Sequence, residues 1–317
     1  MATREHPPAA NPGLSTAIGF IAVLLWSLLA LFTVGTAGVP PFQLTAMTFA
    51  IGGMLGLVAI ALQPGPAGPA IRRALAQPWQ VWALSVGGLF GYHYFYFTAL
   101  KNAPPVEAGL IAYLWPLLIV LFAALLPGRR LTLLHLVGGL TGFAGAALLV
   151  LDPESAGDGL FDTQYAFGYG TALIGAVVWA SYSVLLQRVG NAPTNSVAGF
   201  CLAGAALSAM AHLAGETTVW PETTIGWLSV LGLGLGPVGA AFYAWDYGCK
   251  RGDIQLLGVA SYAAPLLSTA ALVLAGIGVA DWRLGVAALL ITLGASLAAW
   301  GSARERRAQR SMTASPS

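Results

Sequence analysis

Apolar runs of about twenty residues, separated by short clusters of Gly, Pro and charge, recur along nearly the whole chain. About 20 helical residues cross the roughly 30 Å hydrocarbon core of a bilayer. Inside lipid only helices or closed barrels satisfy every backbone donor and acceptor. A barrel needs short segments that alternate in hydrophobicity, whereas these runs are apolar throughout. The pattern therefore predicts an all-α integral membrane protein with ten transmembrane helices, at residues 15–34, 42–62, 79–100, 106–126, 131–151, 167–187, 196–213, 225–248, 254–275 and 283–302. The first run is of spanning length and lacks a small-residue cleavage site, so it is expected to remain as an anchor.

Composition agrees: 57% of the residues are hydrophobic and 8% charged, with a mean hydropathy of +0.75, too little charge for an ordinary water-facing surface. Cys201 and Cys249 fall inside apolar runs, and His6, His93, His135 and His212 are dispersed. Neither a disulfide framework nor metal-ligand spacing is present, so no metal or cofactor is expected. An intramembrane enzyme would need a nucleophile with its base, or a metal cluster, and neither pattern occurs. A net charge of +2 gives no basis for a nucleic-acid partner. The expected partners are the lipid bilayer and a small-molecule substrate, with the chain itself a monomer.

Charge sets the orientation. With the amino terminus in the cytoplasm, Arg4, Arg72, Arg73, Arg129, Arg130, Arg188, Lys250, Arg251, Arg304, Arg306, Arg307 and Arg310 are cytoplasmic, and only Lys101 and Arg283 lie outside. Loop Lys and Arg bias favours that arrangement, with both termini cytoplasmic. The layout is a cytoplasmic segment (1–14), a first five-helix unit (15–151), an outer loop (152–166) carrying Asp152, Glu154, Asp158 and Asp162, a second unit (167–302) and a basic tail (303–317).

The two units are related. A shift of 149 residues aligns Tyr94 with Tyr243, Lys101 with Lys250, Gly109 with Gly258, Tyr113 with Tyr262, Pro116 with Pro265 and Gly145 with Gly294; a shift of 153 aligns Trp26 with Trp179. Because each unit has an odd number of spans, the second enters the membrane from the opposite side. Inverted repeats of this kind characterise carriers that alternate between outward-open and inward-open shapes around a midplane site.

Candidate chemistry lies at depth. Pro116 and Pro265 each fall near the middle of a span, where proline removes a backbone donor and kinks the helix, leaving the carbonyls of Ala112 and Ser261 under-satisfied. In the third span Tyr92, His93 and Tyr96 occupy one arc of about 100°. An ionisable group in mid-membrane is costly unless it faces water or a partner, which makes that arc a candidate cavity face and His93 a candidate proton site. The repeat extends the inward face to Ala241, Phe242 and Trp245. Trp179, Tyr182 and Ser183 share a face of the sixth span, with Trp26 as the counterpart of Trp179. Tyr113 and Trp115 adjoin the first kink, without which they would diverge; Ser261 and Tyr262, beside Pro265, complete the candidate substrate-contacting set. Asp246 is a second possible charge site, or simply the ion-pair partner of Lys250 four residues on. The glycine-rich stretches 138–148 and 232–239 read as close helix contacts, since no strand, Lys or acidic partner supports a nucleotide loop.

Three segments, AGLIAYLWPLLIVLFAALL (108–126), IGAVVWASYSV (174–184) and GVASYAAPLLSTAALVLAG (258–276), resemble the EamA type of the drug/metabolite transporter superfamily. The YLWP and SYAAP elements carry most of that likeness. The resemblance implies ten helices in two inverted halves, a central cavity, and export of amino acids from a bacterial cytoplasm, with aromatic or large apolar side chains suited to aromatic walls. Efflux of cationic or aromatic drugs is the alternative, and Asp246 would be the carboxylate it requires. A channel is less favoured by the inverted repeat and the paired mid-span prolines.

Overall fold

A computed structural model describes residues 11–127, 131–151, 161–277 and 281–314. Arg4, His6, Arg129, Arg130, Asp152, Glu154 and Asp158 lie outside the described residues. Those described form helices and connecting turns, with no strand among them. The long helices are α1 (Pro12–Gly35), α2 (Pro41–Ala61), α3 (Trp79–Asn102), α4 (Pro105–Ala123), α5 (Leu133–Val150), α6 (Thr163–Val189), α7 (Thr194–Gly215), α8 (Thr224–Arg251), α9 (Ile254–Leu274) and α10 (Trp282–Ala314).

Among the described residues nine of these, all except α3, are long and apolar enough to cross a membrane. Helix α3 has the length, 24 residues, but carries Tyr92, His93, Tyr94, Tyr96 and Lys101. Its polarity is the physical difference between the ten runs expected from sequence and the nine helices apolar enough to span.

Local chemistry fixes where the helices start. Prolines occupy the first turn of α1, α2 and α4, where the missing N–H costs nothing. Side chains of Asn11, Thr132, Thr223 and Asp253 accept from backbone amides at the starts of α1, α5, α8 and α9. At one rim, Glu216, just beyond α7, accepts from the Phe42 and Gln43 amides at 3.1–3.2 Å and lies 3.2 Å from the Lys101 ammonium and 3.0 Å from His212 Nδ1. Burial disfavours its charge, yet the hydrogen bonds from His212, the Phe42 amide, Lys101 and the Gln43 amide together hold the carboxyl below its usual range. This carboxylate ties the start of α2 to the ends of α3 and α7.

Helices pack most extensively as α1 with α8, α3 with α6, α2 with α7 and α5 with α10. Each pair draws one member from each half, and the pattern is unchanged when the halves are exchanged. Glycine makes the tightest contacts possible. A Cβ at Gly138 would lie 2.6 Å from the Gly294 carbonyl oxygen, one at Gly294 would lie 2.5 Å from that of Gly138, and one at Gly248 would lie 2.4 Å from the Gly19 Cα. Such backbone approach is how helices associate in lipid, where apolar burial supplies no preference for protein over acyl chain.

Candidate functional site

Four helices are interrupted around the centre. Helix α1 breaks after Trp26 and resumes at Leu29; α4 breaks after Ala112 and resumes at Trp115; α9 breaks after Ala260 and resumes at Ala263. In α8 the segment Gly236–Ala240 forms a wider, π-type turn containing Pro237. The sequence reading took the 232–239 stretch as packing alone. Gly232 and Gly234 do abut Phe32 and Ile51, but Pro237 and Val238 line a cavity.

That cavity, of about 670 Å³, is walled by α1, α2, α3, α4, α6, α8 and α9. Its aromatic lining comprises Trp26, Phe49, Tyr92, His93, Tyr96, Phe97, Tyr113, Trp115, Trp179 and Phe242, with Thr33, Thr36, Thr45, Thr48 and Ser268 adding hydroxyls. Among the described residues, no Asp, Glu, Lys or Arg lines it. Toward one end the wall includes Ala37, Gly38, Val39 and Pro41, from the turn between α1 and α2.

The α3 arc faces the cavity as its spacing predicts. Tyr92 and Tyr96 stack with ring centroids 5.8 Å apart and planes 4° from parallel, and Tyr92 lies 5.2 Å from Trp179. His93 Nδ1 donates to the Leu89 carbonyl at 2.7 Å, which leaves Nε2 as the ring's acceptor; Phe49 and Phe242 lie edge-on at 5.1 and 6.2 Å. Pro116 opens the helix between Ala112 and Trp115, so Tyr113 and Trp115 both reach the cavity despite their two-residue spacing. The second kink differs from expectation in one respect, because the Ser261 carbonyl accepts from the Ala264 amide at 3.0 Å.

At the other end Trp26, Trp115, Trp179 and Trp245 form a cluster in which every pair of rings is in contact, at centroid distances from 5.0 to 6.3 Å. The Trp26 indole donates to the Pro237 carbonyl, and the Trp245 indole to Ser183 Oγ, each at 3.0 Å. Three of the four rings line the cavity; Trp245 lies behind them, fully buried.

Four residues of the candidate substrate-contacting set therefore stand off the wall. Trp245 and Tyr182 pack behind Trp179 in a dry core, Tyr182 lying against Gly88. Ser261 turns its hydroxyl to the Leu257 carbonyl, and Tyr262 is buried beside Phe143 and accepts from the Leu117 amide. Asp246 is also remote: it pairs with Lys250 at 2.8 Å and accepts from Thr194 Oγ1 at 2.7 Å, both charged side chains being 1% exposed. The sequence reading missed Phe49, Phe97 and the threonines. Thr33 with Thr36, and Thr45 with Thr48, repeat at three-residue spacing within apolar runs, a signal that places each pair on one helix face.

The pattern of the EamA-like transporter family matches this chain twice, over residues 13–151 and 166–300. A protein of Ancylobacter novellus named aromatic amino acid exporter YddG is 55% identical over 284 residues, covering 90% of this chain and 96% of its own. Proteins of the same name from Salmonella typhimurium and Escherichia coli are 25% and 26% identical, each covering 92% of this chain and 98% of its own. A solved crystal structure superposes with a TM-score of 0.87 at 52% identity, covering 93% of this chain and 99% of that one.

Proposed function

The chain belongs to the EamA-like transporter family, and on that premise we propose that it exports amino acids with aromatic or large apolar side chains from a bacterial cytoplasm by alternating access. The observation that carries the substrate class is the wall itself, lined by ten aromatic rings and, among the described residues, by no Asp, Glu, Lys or Arg. Aromatic rings suit an apolar side chain. The hydroxyls of Tyr92, Tyr96 and Tyr113, His93 Nε2 and the carbonyls freed around Pro116 suit the ammonium and carboxylate of a zwitterion whose net charge is zero.

The inverted repeat, the tenth span at α3 and the orientation belong to the same proposal. Support comes from the family pattern fitting both halves, and from a packing scheme that survives their exchange. With both termini cytoplasmic, the turn at Gly38 lies outside, the cavity is open outward, and the tryptophan cluster shuts it on the cytoplasmic side. A one-sided cavity favours a carrier over a channel.

Counterflow in liposomes tests the substrate class. Phenylalanine is expected to exchange faster than threonine, and a dicationic drug to show no exchange, because Asp246, the carboxylate that drug efflux requires, is committed to Lys250 and Thr194. Absence of amino acid movement, or exchange of the dication alone, removes the proposal.

His93 is the proposed proton-responsive group. In His93→Gln the amide can keep a donor toward the Leu89 carbonyl but cannot titrate, so transport is expected to persist with a flat pH profile. An unaltered profile would reduce His93 to a hydrogen-bonding residue.

A further inference from the structure

The Tyr262 hydroxyl accepts from the Leu117 amide at 3.1 Å, joining α9 of one half to the broken α4 of the other. In an unbroken helix that amide would bond to the Tyr113 carbonyl. Around Pro116 the helix is open, and Tyr262 satisfies the exposed donor instead. The bond is specific in its surroundings: Tyr262 is 0% exposed, and its ring lies over Gly142, where a Cβ would come within 2.7 Å.

The two halves are not in the same state at this point. Tyr113, the repeat counterpart of Tyr262, lines the cavity, and its hydroxyl has no protein partner among the described residues. Leu266 is the counterpart of Leu117. Each break is two residues long, 113–114 in α4 and 261–262 in α9, the second displaced by one position in the repeat register. The α4 break is held by a tyrosine from the opposite half.

We propose that Tyr262 and Tyr113 are reciprocal positioning residues, one bonding Leu117 when the cavity is open as seen here, the other bonding Leu266 when the opposite end opens. The proposal rests on the alternating-access reading.

A cysteine at the shut end reads the opposite conformation directly. Leu186, 0% exposed, is the repeat counterpart of Thr33 in the open wall, so Leu186→Cys in a Cys201→Ala/Cys249→Ala background should react slowly with a maleimide. Rates are normalised to labelling after denaturation, which separates accessibility from yield of folded protein. Tyr262→Phe is expected to accelerate labelling about fivefold, the factor one ordinary hydrogen bond supplies. Tyr113→Phe is expected to slow it, and the double variant to return within about twofold of the parent.

A role for Tyr262 in packing alone predicts no opposite sign and no compensation. The proposal is overturned if Tyr262→Phe leaves the rate unchanged, if both single variants shift it the same way, or if the double variant is no slower than Tyr262→Phe. Phenylalanine counterflow by the parent cysteine preparation separates the two readings, since Tyr113→Phe itself removes a hydroxyl proposed to meet the substrate. Absence of transport by that parent with reciprocal labelling shifts among the variants would count against the export function, whereas equal-signed shifts with a transporting parent would count against the hydrogen-bond exchange.

Discussion

Asp246→Ala is expected to lower the unfolding stability of the purified protein by about 3–5 kcal/mol, the usual consequence of leaving a buried partner charge without its counterion. The Lys250 ammonium is 1% exposed, and among the described residues it meets, besides Asp246, the Ala192 carbonyl at 3.0 Å. Thr194, at the start of α7, loses its acceptor in the same variant. The contact joining the end of α8 to the start of α7 then becomes an isolated cation in apolar surroundings. Thermal unfolding in detergent measures the loss. Asp246→Ala/Lys250→Met is expected to recover most of it, because removing both charges removes the desolvation problem with them. A single variant that melts with the parent would show that solvent reaches Lys250.

Trp179→Ala is expected to cut phenylalanine counterflow at least tenfold, and Trp179→Phe to retain part of it. This ring touches Trp26, Trp115 and Trp245 within the cluster, Tyr92 and Phe242 on the cavity side, and Tyr182 behind. Each aromatic pair contributes about 0.5–1.5 kcal/mol beyond area burial, so truncation removes several such terms and leaves a void between the cavity and the dry core. Maximal rate and half-saturating concentration, measured together, separate loss of the substrate wall from loosening of the shut end. Parental values for both would remove Trp179 from each role.

Much of this architecture is written in the order of residues. Hydropathy marks nine spans, and α3, whose polarity hides it from that measure, has the length and the flanking punctuation on which the proposal of a tenth rests. Helical spacing places Tyr92, His93 and Tyr96 on one face, and the proline explains how Tyr113 and Trp115 converge. Tyr182 shares a helix arc with Trp179 but packs behind it. Trp245 and Tyr262 fall elsewhere because symmetry of sequence does not require the two halves to pack alike, and the proposed carrier, open at one end, would not. Tyr96 stands in the cavity while its counterpart, Trp245, is packed away, and Tyr113 stands free while Tyr262 is docked. Asp246 was placed by an ordinary local rule, since an acid four residues before a lysine on a helix finds it. Nothing local in the sequence joins Glu216 to the start of α2, because that contact depends on which helix ends the fold brings together.

The contact between Gly138 and Gly294 has a consequence for how the chain can vary. Each residue's backbone occupies the space a side chain on the other would require. Neither half can acquire even a methyl group at its own site without deforming its sibling. Two positions 156 residues apart in the sequence are therefore under one steric constraint, and a substitution at either has to be accommodated at both.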